Sequence, residues 1–289
     1  MMQMRAPDIF RTVADMRQAV AAWKAQGLKV GLVPTMGSLH DGHLSLVNKM
    51  ARHADRLIVS IFVNPTQFAA HEDLDTYPRQ EAADIAALAQ TGAAHEARIA
   101  VYMPSVGQIY PTGFATSINV GGVAEGLESA ERPHFFGGVA LVVHKLFAQS
   151  QADIAIFGEK DYQQLLVIRQ MVRDFDMPIE ILSGAIIREA DGLAMSSRNA
   201  YLSQAQRQIA GQLNLVLAQL ASSTDTPEAA SAQAHAALME AGFTAVDYAC
   251  LRHADTLAAI EAGDTAPRRA LIAARIGDIR LLDNMAARS

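Results

Sequence analysis

Four short stretches of this chain concentrate side chains suited to phosphate, carboxylate and acyl chemistry. The first is VPTMGSLHDGHLSLV, residues 33–47. An apolar run ends at Pro34, a turn through Thr35, Met36 and Gly37 follows, and a helix is expected to begin near His40–His43. N–H groups at a helix start lack intrahelical partners and carry partial positive charge, so an unpaired start suits a phosphate chain. Gly42 has no side chain to block close approach of a base or ribose. His40 and His43 lie three apart, so on one helical turn they face the same way. Together they can donate toward a phosphorus centre that gains negative charge. The same pair also fits two solvated or internally satisfied histidines. As zinc ligands they would need a further Cys/His pair, and the sequence offers no recognisable one.

The other three stretches offer polar groups after strand-like runs. In IFVNPTQF (61–68), Asn64 and Gln67 can donate and accept hydrogen bonds, which suits a small hydroxy acid. FGEKDYQQ (157–164) supplies a turn at Gly158, a mobile cation at Lys160, a ribose acceptor or helix cap at Asp161, and Gln164 one turn further on. MSSRN (195–199) sets Ser196 and Ser197 beside Arg198, a compact clamp for an oxyanion. Taken alone, each stretch also fits an ordinary loop.

The order strand, glycine turn, His-x-Gly-His, helix resembles the nucleotide-binding motif of the adenylyl-transferring α/β superfamily that includes class I aminoacyl-tRNA synthetases. Read with FVNPTQF, YPR (77–79), FGEKDYQQL, READGLAMSSRNAYLS, VDY (246–248) and RLLDN (280–284), the chain resembles the pantoate–β-alanine ligase family along nearly its whole length. The resemblance implies a cytoplasmic homodimer with a Rossmann-like domain and a small C-terminal lid domain. It also implies formation of pantothenate from ATP, pantoate and β-alanine with Mg²⁺, through a pantoyl-adenylate. Carried over by motif, Pro34, Thr35, Met36, Gly37, His40, Gly42 and His43 would meet ATP, with His43 as proton donor. Gly158, Lys160, Asp161, Ile187, Met195, Ser196, Ser197 and Arg198 would also meet the nucleotide. Gln67, Gln164, Asn64 and Arg132 would hold pantoate, with Gln67 also beside β-alanine.

Three departures stand out against the family pattern. Ala83 sits where a second acidic residue is common, so Asp84 alone is expected beside magnesium. The stretch TGAAHEARIA (91–100) is longer than usual. RPHFFGG (132–138) moves the histidine to His134, expected either to reach the nucleotide with Phe135 packed inward or to lie on the surface. A small-molecule nucleotidyltransferase of the same superfamily is the nearest rival reading. A tRNA synthetase is disfavoured by the short acidic chain, and a non-catalytic nucleotide-binding module would not need both histidines and Lys160.

The elements needed to carry these residues follow from pattern. Strand-like runs at 29–34, 56–63, 98–103, 153–157 and 179–182 alternate with helical runs at 44–52, 81–90, 139–149 and 161–175. Such alternation predicts a parallel sheet covered by helices, with ligands at the carboxyl ends of its strands. After about residue 184 the pattern changes to a polar loop and a helix capped by Ser203 with Gln206. A second helix follows behind Thr226 and Pro227, then short strands at 245–251, 270–275 and 279–282. The expectation is α/β overall: residues 1–183 as the Rossmann-like ATP- and pantoate-binding domain and 184–289 as a smaller α+β lid. The loop 188–199 has little apolar content and is expected to be mobile until nucleotide binds.

Composition sets the outer limits. With 289 residues, 51% hydrophobic and 19% charged, the chain predicts packed domains rather than disorder. A formal net charge of −6 argues against a nucleic-acid surface. The apolar runs are too short to span a bilayer, so no membrane association is expected. Cys250 is the single cysteine, so no intrachain disulfide can form, which fits a reducing compartment.

Overall fold

The computed structural model describes residues 7–68, 74–91, 99–261 and 263–288. Its helices are α1 (Val13–Lys24), α2 (Asp41–Met50), α3 (Glu81–Ala89), α4 (Val106–Ile109), α5 (Glu128–Glu131), α6 (Phe135–Ser150), α7 (Tyr162–Asp174), α8 (Gln204–Ala210), α9 (Gln212–Ser222) and α10 (Pro227–Glu240). The chain divides into two compact units. One comprises Met1–Val120, Arg132–Glu159 and Val167–Ala185; the other comprises Gly121–Glu131, Lys160–Leu166 and Ile186–Ser289. Two short segments from earlier in the chain therefore cluster with the C-terminal unit, which a single boundary near residue 183 does not express.

The first unit is built on six parallel strands, β1 (Asp8–Phe10), β2 (Val30–Thr35), β3 (Arg56–Ile61), β4 (Ile99–Tyr102), β5 (Ile154–Gly158) and β6 (Glu180–Gly184). Their spatial order is β1-β4-β3-β2-β5-β6, so the winding reverses between β2 and β5. In such sheets ligands gather at that reversal, beyond the carboxyl ends of the strands. The HDGH and GEKD stretches follow those two strands. One sheet face packs Val33, Leu57, Val59, Val101 and Ile156 against Leu46, Val47 and Met50 of α2 and Leu88 of α3. The β-branched, two-sided burial of β2 and β3 is what a central parallel strand requires.

The C-terminal unit has an antiparallel sheet of β7 (Ala245–His253), β8 (Arg268–Ile276) and β9 (Ile279–Ala287). Alternate residues such as Ile272, Ala274 and Ile276 pack under Leu213, Leu217 and Leu220 of α9 and Leu238 of α10. Ser203 forms the expected reciprocal cap with Gln206, and Thr226 caps α10. The helix expected after Ser203 is broken at Gly211 into α8 and α9. Helix α6 begins at Phe135 rather than 139, running through Gly137 and Gly138. The strand expected to start at Arg98 is described from Ile99, and Arg98 with most of the 91–100 stretch lies outside the described residues.

Candidate functional site

In the first unit the turn between β2 and α2 is held from several sides. Thr35 Oγ1 donates to the Ser60 carbonyl (2.8 Å) and accepts from the Gly37 N–H (3.2 Å). Gly37 has φ +82°, and a Cβ there would sit 2.9 Å from Asp84 Oδ2, so both conformation and space require glycine. Ser38 follows with φ 52°. Asp84, on α3 and 3% exposed, accepts from the N–H groups of Ser38 (3.0 Å) and Leu39 (2.7 Å), one on each carboxylate oxygen. The lone acidic residue expected beside magnesium thus shapes the turn. No group of three or more His, Cys, Asp or Glu residues among those described could hold a metal ion.

The start of α2 departs from expectation in an informative way. His40 is the N-cap, and its Nδ1 accepts from the Gly42 N–H at 3.2 Å. His43 reaches back, its Nδ1 accepting from the His40 N–H at 3.4 Å. The His43 N–H is itself bonded to the His40 carbonyl at 2.8 Å. The helix start is therefore capped by its own histidines, and the N–H groups of His40, Gly42 and His43 are engaged. The two rings lie with centroids 4.1 Å apart. Because each Nδ1 accepts, each neutral ring carries its proton on Nε2. The motif presents a pair of imidazole donors in place of bare backbone amides.

Asn64 and Gln67 also take different parts. Asn64 is 1% exposed and caps the turn Pro65–Gln67. Its Oδ1 accepts from Tyr110 Oη (2.8 Å) and Thr66 Oγ1 (3.0 Å), while Nδ2 donates to the Gly138 carbonyl (3.2 Å) and Gln67 Oε1 (3.1 Å). Expected as a ligand group, Asn64 instead has donors and acceptors directed inward. It orients Gln67: with Oε1 taken, the Gln67 amide turns its Nε2 donors outward, one toward Met36 Sδ at 3.1 Å. Gly138 permits this arrangement, since a Cβ would stand 2.3 Å from the Thr66 carbonyl oxygen. Arg132 donates to the Gln67 carbonyl (3.1 Å) and lies 3.8 Å over the Phe135 ring. Phe135 is buried, as expected, whereas His134 is exposed and makes no side-chain cap to α6. Burial raises the pKa of the Tyr110 hydroxyl, with the Thr66 hydrogen bond opposing, so it stays a donor at neutral pH.

Gly158 ends β5 in the first unit, and the remaining predicted residues lie in the C-terminal unit. Lys160 and Asp161 occupy a 3₁₀ turn (Glu159–Asp161), and Gln164 lies in the first turn and a half of α7. Ile187 accepts the Met195 N–H through its carbonyl (2.9 Å), and Ser196 caps the turn Ser197–Tyr201 by accepting from the Arg198 N–H (3.3 Å). The loop expected to be mobile until nucleotide binds carries several charged hydrogen bonds. Arg188 grips both Asp283 oxygens (2.5 and 3.1 Å), Arg207 grips Glu189 and Asp191 (2.6 Å each), and Asn199 donates to Glu189 (2.6 Å). Hydrogen bonds from Arg207 hold the carboxyls of both Glu189 and Asp191 below the ordinary range.

A buried cluster in this unit joins Asp247 and Tyr248 of VDY and Arg280 of RLLDN to Glu128, a pairing that no local pattern signals. Glu128 is 6% exposed and accepts from Arg280 through both oxygens (2.7 Å each) and from Tyr248 Oη (2.7 Å). Arg280 also donates to Asp247 (2.6 Å), as does Arg275 (3.1 Å). Neighbouring strand residues normally point to opposite faces, but a register shift between Val246 and Tyr248 lets Asp247 and Tyr248 serve one cluster. Gln163, 3% exposed, accepts the Glu128 N–H (3.0 Å) and donates to the Val123 carbonyl (3.0 Å). These contacts explain why residues 121–131 cluster with the C-terminal unit. Burial first, and then the Glu128 charge, push the Tyr248 pKa well up.

The family model for pantoate-beta-alanine ligase matches residues 8–286. The chain belongs to the pantoate–β-alanine ligase family. It is 51% identical over 288 residues to a pantothenate synthetase of Caulobacter vibrioides, covering 98% of this chain and 99% of that protein. A pantothenate synthetase structure from Thermus thermophilus superposes with a TM-score of 0.85 at 39% identity, covering 98% of this chain and all of that one. A Francisella tularensis pantoate-beta-alanine ligase, crystallised with beta-gamma ATP and beta-alanine, superposes with a TM-score of 0.81 at 32% identity, covering 97% of this chain and 98% of that one. No helix among the described residues is long and apolar enough to cross a membrane.

Proposed function

We propose that this chain condenses (R)-pantoate with β-alanine to pantothenate, driven by ATP and proceeding through a pantoyl-adenylate. The observation that carries the reading is the paired-imidazole cap that follows β2, the strand at the reversal of the sheet, in a family member aligned almost end to end. A carboxylate is a poor acyl donor. In the first step a pantoate carboxylate oxygen bonds to the α-phosphorus, and the bond to the β-phosphate oxygen breaks, releasing pyrophosphate. In the second, the neutral amine of β-alanine attacks the acyl carbon, AMP leaves with that oxygen, and the amine loses a proton.

Negative charge grows on the phosphoryl oxygens and on pyrophosphate during the first step. His40 and His43 meet it with Nε2–H donors, and Lys160, Ser196, Ser197 and Arg198 add charge and hydroxyls. His43 is the proposed proton donor. Pro34, Thr35, Met36, Gly37 and Gly42 line the nucleotide's path on the first unit, as do Gly158, Asp161, Ile187 and Met195 on their own elements. Gln67, held as a donor by Asn64, faces pantoate oxygens together with Gln164, and Arg132 braces Gln67 from its carbonyl side. Magnesium enters as part of the ATP substrate, which agrees with its habit of binding phosphates and water more than protein cages. The C-terminal unit acts as the lid, and the enzyme works as a cytoplasmic homodimer, both in keeping with the family resemblance.

Isotope exchange tests the two-step order. Labelled pyrophosphate is expected to exchange into ATP when pantoate is the only co-substrate. Failure to exchange without β-alanine, alongside full turnover with it, would refute the adenylate.

A further inference from the structure

Strand β9 contributes three polar side chains from the RLLDN stretch, and each grips a different segment of the C-terminal unit. Arg280 holds Glu128, Asp283 holds Arg188, and Asn284 holds the turn that carries Lys160. The third contact is the informative one. Asn284 is 2% exposed, its Nδ2 donates to the Lys160 carbonyl at 2.8 Å, and its Oδ1 accepts from Arg269 Nε at 2.8 Å. The Arg269 guanidinium lies 4.1 Å over the Tyr162 ring, so the same amide also steadies the residue two places beyond Lys160. Only a carboxamide can donate on one side and accept on the other here. A carboxylate would keep Arg269 and set an oxygen against the Lys160 carbonyl.

We propose that Asn284 is a positioning residue for the reaction, fixing the backbone from which the Lys160 ammonium reaches developing phosphate charge. A lysine side chain is long and rotationally free, so its effective placement depends on how firmly its own backbone is held. Lys160 belongs to a one-turn 3₁₀ segment between β5 and α7 in the sequence. Asn284 supplies a fixed donor at that point. The proposal rests on Lys160 acting on the nucleotide, and it adds the residue that makes that action effective.

The test is a double-mutant cycle on AMP formation from ATP, pantoate and β-alanine. Asn284→Asp is expected to lower kcat about tenfold in the otherwise native chain, and to change kcat less than about twofold when Lys160→Ala is already present. An equal loss in both backgrounds would mean that Asn284 supports the fold at large and would overturn the proposal, as would native kcat in the single variant. Lys160→Ala alone separates the underlying reading: native turnover there would remove Lys160 from the reaction, and the proposal with it. Should Asn284→Asp not fold, Asn284→Ser, which loses the reach to Lys160 without adding charge, is scored by the same criteria.

Discussion

Replacing Arg280 by Met gives a sharp test of what holds residues 121–131 in the C-terminal unit. Arg280 makes three charge-assisted bonds, two to Glu128 and one to Asp247, and both carboxylates are nearly buried. Removing one partner of such a cluster strands the others, at a cost of roughly 3–5 kcal/mol. Here Tyr248 still donates to Glu128 and Arg275 still faces Asp247, so the low end, about 3 kcal/mol, is expected. With a urea m-value of about 2 kcal/mol/M, the unfolding midpoint of the C-terminal unit should fall by about 1.5 M. The amides of residues 122–128 should exchange faster with solvent than in the native chain. Replacing Glu128 by Met as well removes the stranded charge and leaves mainly the Tyr248 hydroxyl unpartnered. The double variant should therefore recover about half of the loss or more, since burying an uncompensated charge is the dominant cost. A double variant as unstable as Arg280→Met alone would refute the reasoning. The cost would then lie in lost packing of the long side chain rather than in charge.

Two further outcomes follow from other parts of the structure. Asn64→Asp removes the Nδ2–H that fixes Gln67 and sets a carboxylate against the Gly138 carbonyl, so KM for pantoate should rise about tenfold while KM for ATP stays within about twofold; equal changes in both constants in steady-state assays would refute a specific role. Arg207→Ala should destabilise by about 1 kcal/mol at pH 7, the partial exposure of Glu189 and Asp191 keeping it modest. Arg207 holds both folded carboxyl pKa values below their unfolded ones, so the stabilisation is complete above about pH 4–5 and fades as pH falls through the lowered values. Thermal melts from pH 7 to 3 should show the gap between native and variant chains closing at the acid end, and a constant gap would count against the assignment.

Periodicity made most of the framework legible. β2, β3 and β5 are apolar runs long enough to read, and Ser203 and Thr226 announce their helices by capping chemistry. β1 escaped because three residues, Asp8–Phe10, carry too little pattern. The sequence pattern places the start of α6 late because Phe-Phe-Gly-Gly looks like a turn, yet Gly138 is helical and marks the close approach of α6 to the Thr66–Gln67 backbone. The candidate site was legible in its residue types but not in its hydrogen-bond directions. Glu128, Gln163 and Arg280 form one cluster from positions up to 152 residues apart, and no local pattern encodes such a pairing. The VDY and RLLDN stretches were visible as motifs, but their physical meaning required the bulge at Asp247 and the register of β9.

The histidine cap shows how the detail changes the chemistry. An uncapped helix start would offer phosphate its own backbone amides. Here the amides of Gly42 and His40 are engaged by Nδ1 of His40 and His43, which places the proton of each neutral ring on Nε2, on the opposite side of the ring. A neutral imidazole can meet charge that builds on an oxygen with a hydrogen bond from its Nε2–H. Each ring is held by the same backbone bond that fixes its tautomer, so the donors are oriented before substrate arrives, which is the condition under which electrostatic stabilisation is most effective. The glycine at position 42 belongs to this device: its N–H is the group that His40 binds, and it adds no side chain beside the two touching rings.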